Sequence, residues 1–215
     1  MKQLLWTGTL DTIKIVLTST FFASLGGLPL GILLTIWKKD NIAPFPLGEK
    51  ILAWIINIVR SIPFIILIIA LLPLIRIIVG KGYGVQASIF ALSVGAIPFV
   101  ARVVESALLE VDDLLIKAAI TMGATPLQII LKVYLVEALP NLIRSLSLTM
   151  ITLVGYAAMA GVVGGGGLGD IAIRYGLHRG EHNVMFMTII IMIVMVQVVQ
   201  TLFNIIADRI DKRRV

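Results

Sequence analysis

Two histidines and a glutamate give one stretch of the chain the residue types of a metalloenzyme. His178, Glu181 and His182 follow the order H-x-x-E-H, in which both imidazoles bind zinc and the glutamate acts as a base. Gly180 weakens the helix that would align the two imidazoles, and catalytic zinc needs three protein ligands on a stable scaffold. We therefore expect no metal site here. An intramembrane metalloenzyme is the alternative, which bound zinc would reveal.

A glycine run supplies the second pattern with possible chemistry. Gly164, Gly166 and Gly169 satisfy the spacing G-x-G-x-x-G of dinucleotide-binding loops. No strand pattern precedes them, and no acidic residue stands near Ile190, about 20 positions later, where one would bind a ribose. We therefore expect these glycines to form a flexible outer loop.

The chain lacks the motif G-x-x-x-x-G-K-[S/T], whose backbone amides and lysine hold the phosphates of ATP. We expect the chain to have no such ATP site, to hold no cofactor of its own and to be no enzyme. Energy for any ATP-driven process would have to come from another subunit.

Composition places the chain in a membrane. Of its 215 residues 59% are hydrophobic and 14% are charged, and the mean hydropathy is +1.04. A water-soluble core of this size could not bury so much apolar surface. Lys and Arg outnumber Asp and Glu by 18 to 12, but the basic residues stand at the ends of apolar stretches. Because they form no single basic face, we expect contact with lipid and none with nucleic acid.

Five apolar stretches are long enough to cross the hydrocarbon core, for which about 20 residues suffice. All five should be helices, because lipid offers backbone groups no other partner. We therefore predict an all-α integral membrane protein with a single transmembrane domain over residues 1–215. The predicted spans cover residues 15–36, 51–75, 83–101, 145–163 and 183–207. None of them contains Asp or Glu, which argues against a carrier coupled to protons or sodium.

The distribution of Lys and Arg predicts the orientation, since the cytoplasmic side carries the excess. With the N-terminus outside and the C-terminus inside, the cytoplasmic set is Lys38, Lys39, Lys50, Lys117, Lys132, Arg144, Arg209, Lys212, Arg213 and Arg214. The outer set is then Lys2, Arg76, Lys81, Arg174 and Arg179. No small-residue cleavage site follows a short apolar core near the N-terminus, so we expect a retained first span. This orientation puts residues 102–144, here called the amphipathic segment, in the cytoplasm.

Local signals divide the amphipathic segment into two short helices. Asp112 suits the first turn of one helix, and Gly123 suits its end. Thr125 is the expected N-cap of the next helix, with Pro126 at the first helical position. Gln128, three residues after Thr125, completes a capping-box pattern.

The first of these helices resembles the EAA loop of permease subunits of bacterial ABC importers, through Ala118-Ala119 followed by Gly123. In that family a short coupling helix docks in a cleft of the ATP-hydrolysing subunit. Lys117 stands where the family usually has glutamate, and Val136 where a proline is frequent, which changes the polar details of docking. The resemblance implies ATPase contacts at Lys117, Ala118, Ala119, Gly123, Ala124, Thr125 and Pro126. The alternative is that these small residues pack within their own subunit.

A second stretch narrows the resemblance. The run from Gly164 to Gly176, with Ile-Ala-Ile-Arg-Tyr-Gly after Leu-Gly-Asp, resembles the methionine-importer permease family. Arg60-Ser61-Ile62-Pro63-Phe64 matches the same family. The resemblance covers essentially the whole chain and implies the small type I ABC importer permease fold with a cytoplasmic coupling helix, in the bacterial inner membrane.

The same resemblance implies a function and partners. The chain would be the membrane-spanning subunit of an ATP-driven importer of D- or L-methionine that works by alternating access. It would pair with a second copy of itself, with two ATPase subunits that bind ATP and Mg, and with a periplasmic or lipid-anchored methionine-binding protein. The alternatives are a permease for an osmoprotectant or another amino acid, and a secondary transporter.

Three residues are candidates for the translocation path: Arg60, Tyr156 and Met159. Arg60 is the only charge well inside an apolar stretch, where its ordinary role would be to extend its head group to the interface. Tyr156 and Met159 stand on the fourth predicted span.

Small residues predict close crossings between helices. Gly27 and Gly31 form G-x-x-x-G in the first span, and Ala157, Gly161 and Gly165 repeat at intervals of four in the fourth. The spacing fits a crossing within one subunit as well as one between two subunits.

Overall fold

The computed structural model describes residues 1–211. Within these residues the chain is helical and contains no strand, which confirms the predicted all-α class. The helices are α1 Lys2–Ile36, α2 Pro46–Ser61, α3 Phe64–Val79, α4 Val85–Leu109, α5 Asp113–Thr121, α6 Pro126–Ile129, α7 Leu135–Glu137, α8 Leu139–Ala160, α9 Gly167–Ile171 and α10 His182–Ile210. Lys212, Arg213 and Arg214, which were assigned above to the cytoplasmic side, lie outside the described residues.

The core is built where α1 packs lengthwise on α4, with α8 and α10 beside them. The glycines of α1 make this crossing close. A Cβ at Gly31 would lie 2.6 Å from the Ala101 carbonyl oxygen, and one at Gly27 would lie 2.6 Å from Val100 Cγ1. The predicted G-x-x-x-G contact is therefore made within the subunit, between α1 and α4.

The second predicted span, residues 51–75, is two helices instead of one. α2 and α3 are bent by 102° at a short break. Pro63 causes the break, because it has no N–H and its ring forces the preceding Ile62 into an extended conformation with ψ 123°. Four single helices, α1, α4, α8 and the C-terminal α10, are long and apolar enough to cross a membrane, and the bent pair can supply a fifth span.

Several helices extend beyond the predicted spans. α1 begins at Lys2 instead of residue 15, and α4 continues past residue 101 to Leu109. At the other end of the amphipathic segment, α8 already begins at Leu139, with Pro140 in its first turn. The part of that segment outside the long helices is therefore residues 110–138, shorter than the predicted 102–144.

Two carboxylates that lie outside the predicted spans are buried in helices. Glu105 in α4 and Asp170 in α9 are 6% and 3% exposed. Each is tolerated because a cation neutralises it: Glu105 pairs with Lys38 and Arg102, and Asp170 pairs with Arg174.

The glycine run of residues 164–169, predicted to be a flexible outer loop, is tightly packed against other helices. The Ser88 hydroxyl donates a hydrogen bond to the Gly165 carbonyl at 2.8 Å, and the Leu168 N–H donates to the Thr12 hydroxyl at 2.8 Å. Gly164, with φ 74°, makes the turn that lets the chain fold back here. The run thus ties α1, α4 and α9 together.

Candidate functional site

The two short helices of the amphipathic segment have well-formed ends. The Asp112 carboxylate accepts a hydrogen bond from the Leu114 N–H at 2.8 Å and so caps α5. At the other end the Gly123 N–H donates to the Ile120 carbonyl at 2.9 Å, and the Ala124 N–H donates to the Ala119 carbonyl at 3.0 Å. This is the Schellman arrangement, and it places Gly123 at φ 82°. The predicted ends of the first helix are confirmed.

α6 begins at Pro126, and four residues separate it from Thr121, the last residue of α5. The Thr125 N–H donates to the Gln128 side-chain oxygen at 2.9 Å, and the Gln128 N–H donates to the Thr125 hydroxyl at 3.4 Å. Pro126 occupies the first turn. The predicted capping box is therefore present, and the turn between α5 and α6 is held by side chains as well as backbone.

Tyr134 anchors this pair of helices to the rest of the subunit. It lies in a π-helical turn after α6, is 2% exposed, and its hydroxyl donates to the Asn41 side-chain oxygen at 3.0 Å. Burial raises the pKa of the Tyr134 phenol, the Asn41 hydrogen bond partly offsets this, and the charge of Asp113 raises the pKa further. Because the phenol stays protonated, it remains a hydrogen-bond donor at physiological pH.

The opposite side of α5 and α6 is exposed. Ile116 and Ala119 face the subunit's core, whereas Leu114, Ala118 and Met122, spaced four apart, lie on the other side of the helix. We call the surface formed by Leu114, Ala118, Met122 and the α6 residue Leu127 the α5–α6 face. Leu114, Leu127 and Met122 are 69%, 64% and 80% exposed.

The predicted contact residues divide between the two sides of this unit. Ala119 is buried in its own subunit and Ala124 is half-buried, while the other members are exposed: Lys117, Ala118, Gly123, Thr125 and Pro126. Leu114, Met122 and Leu127 were not among the predicted contact residues. Their helical spacing opposite Ile116 and Ala119 was the available signal.

A buried ion-pair network holds α2 against the base of α1 and α4. Glu105 lies 3.1 Å from the Lys38 ammonium nitrogen and 2.7 Å from Arg102 Nη1. Arg102 also donates to the Asn57 side-chain oxygen at 3.0 Å and to the Ala53 carbonyl at 3.2 Å. Through these two cations, one carboxylate joins α4 to α2 and to the turn that follows α1.

A second polar cluster joins α4, α8 and the end of α10. Arg144 donates to Asp208 at 2.9 Å, to Asp211 at 3.4 Å and to the Asn141 side-chain oxygen at 3.0 Å. The Asn141 side-chain amide in turn donates a hydrogen bond to the carboxylate of Glu110, the residue that follows the last residue of α4. These groups are partly exposed, so each pair contributes little alone, and the cluster mainly fixes the relative positions of the helices.

Two of the three predicted path residues share one cavity. Arg60 and Tyr156 line a cavity of about 120 Å³, together with Phe64 and Phe99. Met159 does not line it and is 47% exposed on α8. The bend at Pro63 brings the end of α2 to this place.

The H-x-x-E-H residues do not lie on one helix. His178 follows the π-helical turn of residues 172–177, Gly180 has φ 70°, and His182 begins α10. Within residues 1–211 there is no group of three or more His, Asp or Glu side chains that could hold a metal ion.

Comparison with known proteins identifies relatives over the full length. A family described as "Binding-protein-dependent transport system inner membrane component" matches residues 27–215. A "Probable D-methionine transport system permease protein MetI" of Vibrio cholerae is 48% identical over 212 residues, which are 99% of this chain and 94% of that protein. A protein of the same description in Pasteurella multocida is 46% identical over 211 residues, covering 98% and 97%.

Solved structures show the same fold. A chain of the MetNI methionine ABC transporter, in an inward-facing conformation, matches with a TM-score of 0.97 and 43% identity over 99% of this chain and 98% of that chain. An amino acid ABC transporter solved with histidines matches with a TM-score of 0.78 and 19% identity, over 97% and 94% of the two chains. At that identity the second likeness concerns the fold alone.

Proposed function

Because the chain belongs to the family of binding-protein-dependent transport system inner membrane components, we propose that it is the membrane-spanning subunit of an ATP-driven methionine importer. The observation that carries the proposal is the full-length likeness to relatives named for D-methionine transport. The likeness to the MetNI chain, at a TM-score of 0.97, supports the same assignment. The named relatives favour methionine over an osmoprotectant or another amino acid as cargo.

The partners follow from what a permease of this kind requires. Two copies of the chain pair about a twofold axis, and an ATPase subunit binds each copy. A periplasmic or lipid-anchored binding protein delivers methionine to the outer side. The N-terminus lies outside and the C-terminus in the cytoplasm, as the excess of Lys and Arg indicates.

The α5–α6 face is the surface through which ATP-driven motion enters the subunit. Its apolar side chains are strongly exposed, Met122 by 80% and Leu114 by 69%, and an exposed apolar patch is typical of a protein interface. The same two helices are fixed to the core on their other side by Ile116, Ala119 and Tyr134. When the ATPase displaces this face, the helices that line the translocation path therefore move with it.

The subunit then alternates between two arrangements. ATP binding draws the two ATPase subunits together, and each carries its α5–α6 face with it. The paired bundles switch from an inward-open to an outward-open state, which ATP and the loaded binding protein favour. The permease performs no bond chemistry of its own.

Uptake into proteoliposomes tests the proposal. Vesicles that contain this chain with its ATPase should accumulate labelled methionine when ATP is inside and the binding protein is outside. Omitting ATP, or replacing it with a non-hydrolysable analogue, should abolish uptake. Uptake that persists without the ATPase would instead establish a secondary transporter, and uptake of a labelled betaine in place of methionine would establish an osmoprotectant permease.

A further inference from the structure

A small cavity lies at the junction of α2, α3, α4 and α8. Its volume is about 120 Å³, and its wall contains three aromatic rings, from Phe64, Phe99 and Tyr156. Gly95 of α4 makes room for this wall, because a Cβ there would lie 3.0 Å from the Phe64 ring. The cavity is therefore shaped by glycine and aromatic residues on separate helices.

Two polar groups in this cavity lack a protein partner. Arg60, in the last turn of α2, forms no ion pair or hydrogen bond with any residue that the structure describes. The Tyr156 hydroxyl likewise has no hydrogen-bond partner within residues 1–211, although the ring itself is stacked on Phe64. Arg60 is also an exposed residue of the described chain, so its charge is open to a ligand. Arg60 and Tyr156 thus leave a cation and a hydroxyl free beside an apolar wall.

We propose that this cavity is a transit site for the amino acid as it crosses the membrane. Arg60 binds the substrate carboxylate, the Tyr156 hydroxyl donates a second hydrogen bond to it, and the aromatic wall contacts the apolar side chain. Such a site requires a substrate with an anionic group at one end and an uncharged, polarisable side chain at the other. The thioether of methionine meets this requirement, because sulfur makes favourable contacts with aromatic rings. The assignment rests on the proposed transport function.

The small size of the cavity indicates that it binds the substrate only transiently. Pockets that enclose a small ligand usually measure about 300 Å³ or more, so a cavity of 120 Å³ surrounds only part of an amino acid. Partial enclosure suits transport, in which a site must release its ligand as readily as it takes it up.

The test compares variants in the complete transporter, reconstituted with its ATPase and binding protein. Both labelled methionine uptake and ATP hydrolysis stimulated by the loaded binding protein are measured. Arg60→Gln should lower uptake per ATP hydrolysed about tenfold, as expected for loss of one charge-assisted hydrogen bond, while hydrolysis changes less than about twofold. Arg60→Lys should restore part of the uptake. Tyr156→Phe, which keeps the stacked ring, should cause a smaller loss.

A matched control separates this role from a general need for a cation at a helix end. Arg76 occupies the last turn of α3, as Arg60 does in α2, but lines a different cavity. Arg76→Gln should leave uptake per ATP near the wild-type level. Equal uptake per ATP in Arg60→Gln and wild type, or an equal loss in Arg76→Gln, would overturn the transit site.

Failure of this inference is distinct from failure of the proposed function. If the wild-type complex shows no ATP-dependent methionine uptake, the transport function is wrong. If the wild type transports but Arg60→Gln and Tyr156→Phe transport equally well, only the transit site is wrong. The yield of assembled complex is measured for each variant as a control. A yield equal to that of the wild type excludes misfolding as the cause of a loss of uptake.

Discussion

The ring of Phe64 lies 4.0 Å from the ring of Tyr156, and the two planes differ by only 6°. Phe64 is the first residue of α3, and Tyr156 stands in the last half of α8. This stack ties the start of α3, just after the bend at Pro63, to a long membrane helix. It therefore holds in place the part of the chain where the predicted continuous span is broken.

We expect Phe64→Ala to lower the free energy of unfolding by about 3 kcal/mol, because it removes a buried aromatic ring and leaves a cavity. Phe64→Leu should cost less. Phe21, which is 63% exposed, provides the control, since Phe21→Ala removes the same atoms from an unburied site. Thermal unfolding of the purified subunit in detergent measures the difference, and equal melting of the two alanine variants would contradict the role of the stack.

Gly123 should be intolerant of side chains for a conformational reason and not for lack of space. A Cβ there would meet no atom within 4 Å, but its φ of 82° disfavours residues with a Cβ by about 1–2 kcal/mol. Gly123→Ala should therefore destabilise α5, and Gly123→Asn should do so less. Gly155→Ala is the matched control, because Gly155 also has open space around it and lies within a regular helix. The α5 amides should exchange hydrogen fastest in Gly123→Ala, more slowly in Gly123→Asn and slowest in the wild type.

Met122→Glu should weaken binding of the ATPase subunit by about tenfold or more, since a charge would be buried where an apolar side chain docks. Its 80% exposure means that the subunit itself should fold normally. Lys39→Glu, an exposed site outside the α5–α6 face, makes a larger charge change and should leave binding unaffected. Titration of the purified ATPase against each variant gives the affinities, and equal affinities would remove Met122 from the interface.

Glu105→Gln should destabilise the subunit by about 2 kcal/mol or more, because it leaves two cations around a buried neutral amide. The loosened part should be α2, which Arg102 holds through Asn57. Glu49→Gln, in the first turn of the same helix, makes the same chemical change at a site without that network and should have little effect. Faster hydrogen exchange in α2 for Glu105→Gln alone would support the assignment, and equal exchange in both variants would refute it.

Tyr134 should make stability sensitive to alkaline pH. Burial raises the pKa of its phenol above the ordinary value of 10.0, so the folded state favours the protonated form. This contribution is complete below pH 10 and is lost as the pH rises through the higher pKa of the folded state. Tyr134→Phe should therefore flatten the loss of stability at high pH. Denaturation midpoints of both proteins across this range provide the measurement, and parallel curves would contradict the prediction.

Local sequence signals predicted the amphipathic segment well. The helix start at Asp112, the capping box at Thr125 and the helix end at Gly123 each depend on residues within a few positions of one another, so spacing suffices to find them. Asp112, predicted in the first turn, is the N-cap one residue before it. The ATPase contacts at these positions stay a prediction. The burial of Ala119 in its own subunit also has a local signal, since Ala119 stands three residues after Ile116 on the same side of α5.

Long-range packing accounts for what the sequence did not reveal. Glu105 has a local partner in Arg102, three residues earlier, but its second partner, Lys38, is distant along the chain and could not be found from a window of sequence. The glycine run was expected to be flexible, and its packing could not be predicted because its partners, Thr12 and Ser88, lie on other helices. The bend did have a local signal, because a proline such as Pro63 disfavours helix at the residue before it. The continuous apolar character of residues 51–75 nevertheless predicted a single span.

The bend also determines how the subunit fits a bilayer. α3 has 16 residues and is about 24 Å long, shorter than a hydrocarbon core of about 30 Å, whereas α1 has 35 residues and is about 52 Å long. Beside α3 the bilayer must become thinner, or lipid head groups must move inward to reach the ends of the helix. α1 must instead tilt or extend beyond the bilayer. We therefore expect the bilayer to be thinner beside α3 than beside α1, so that bilayer thickness acts on the same helix as the aromatic stack.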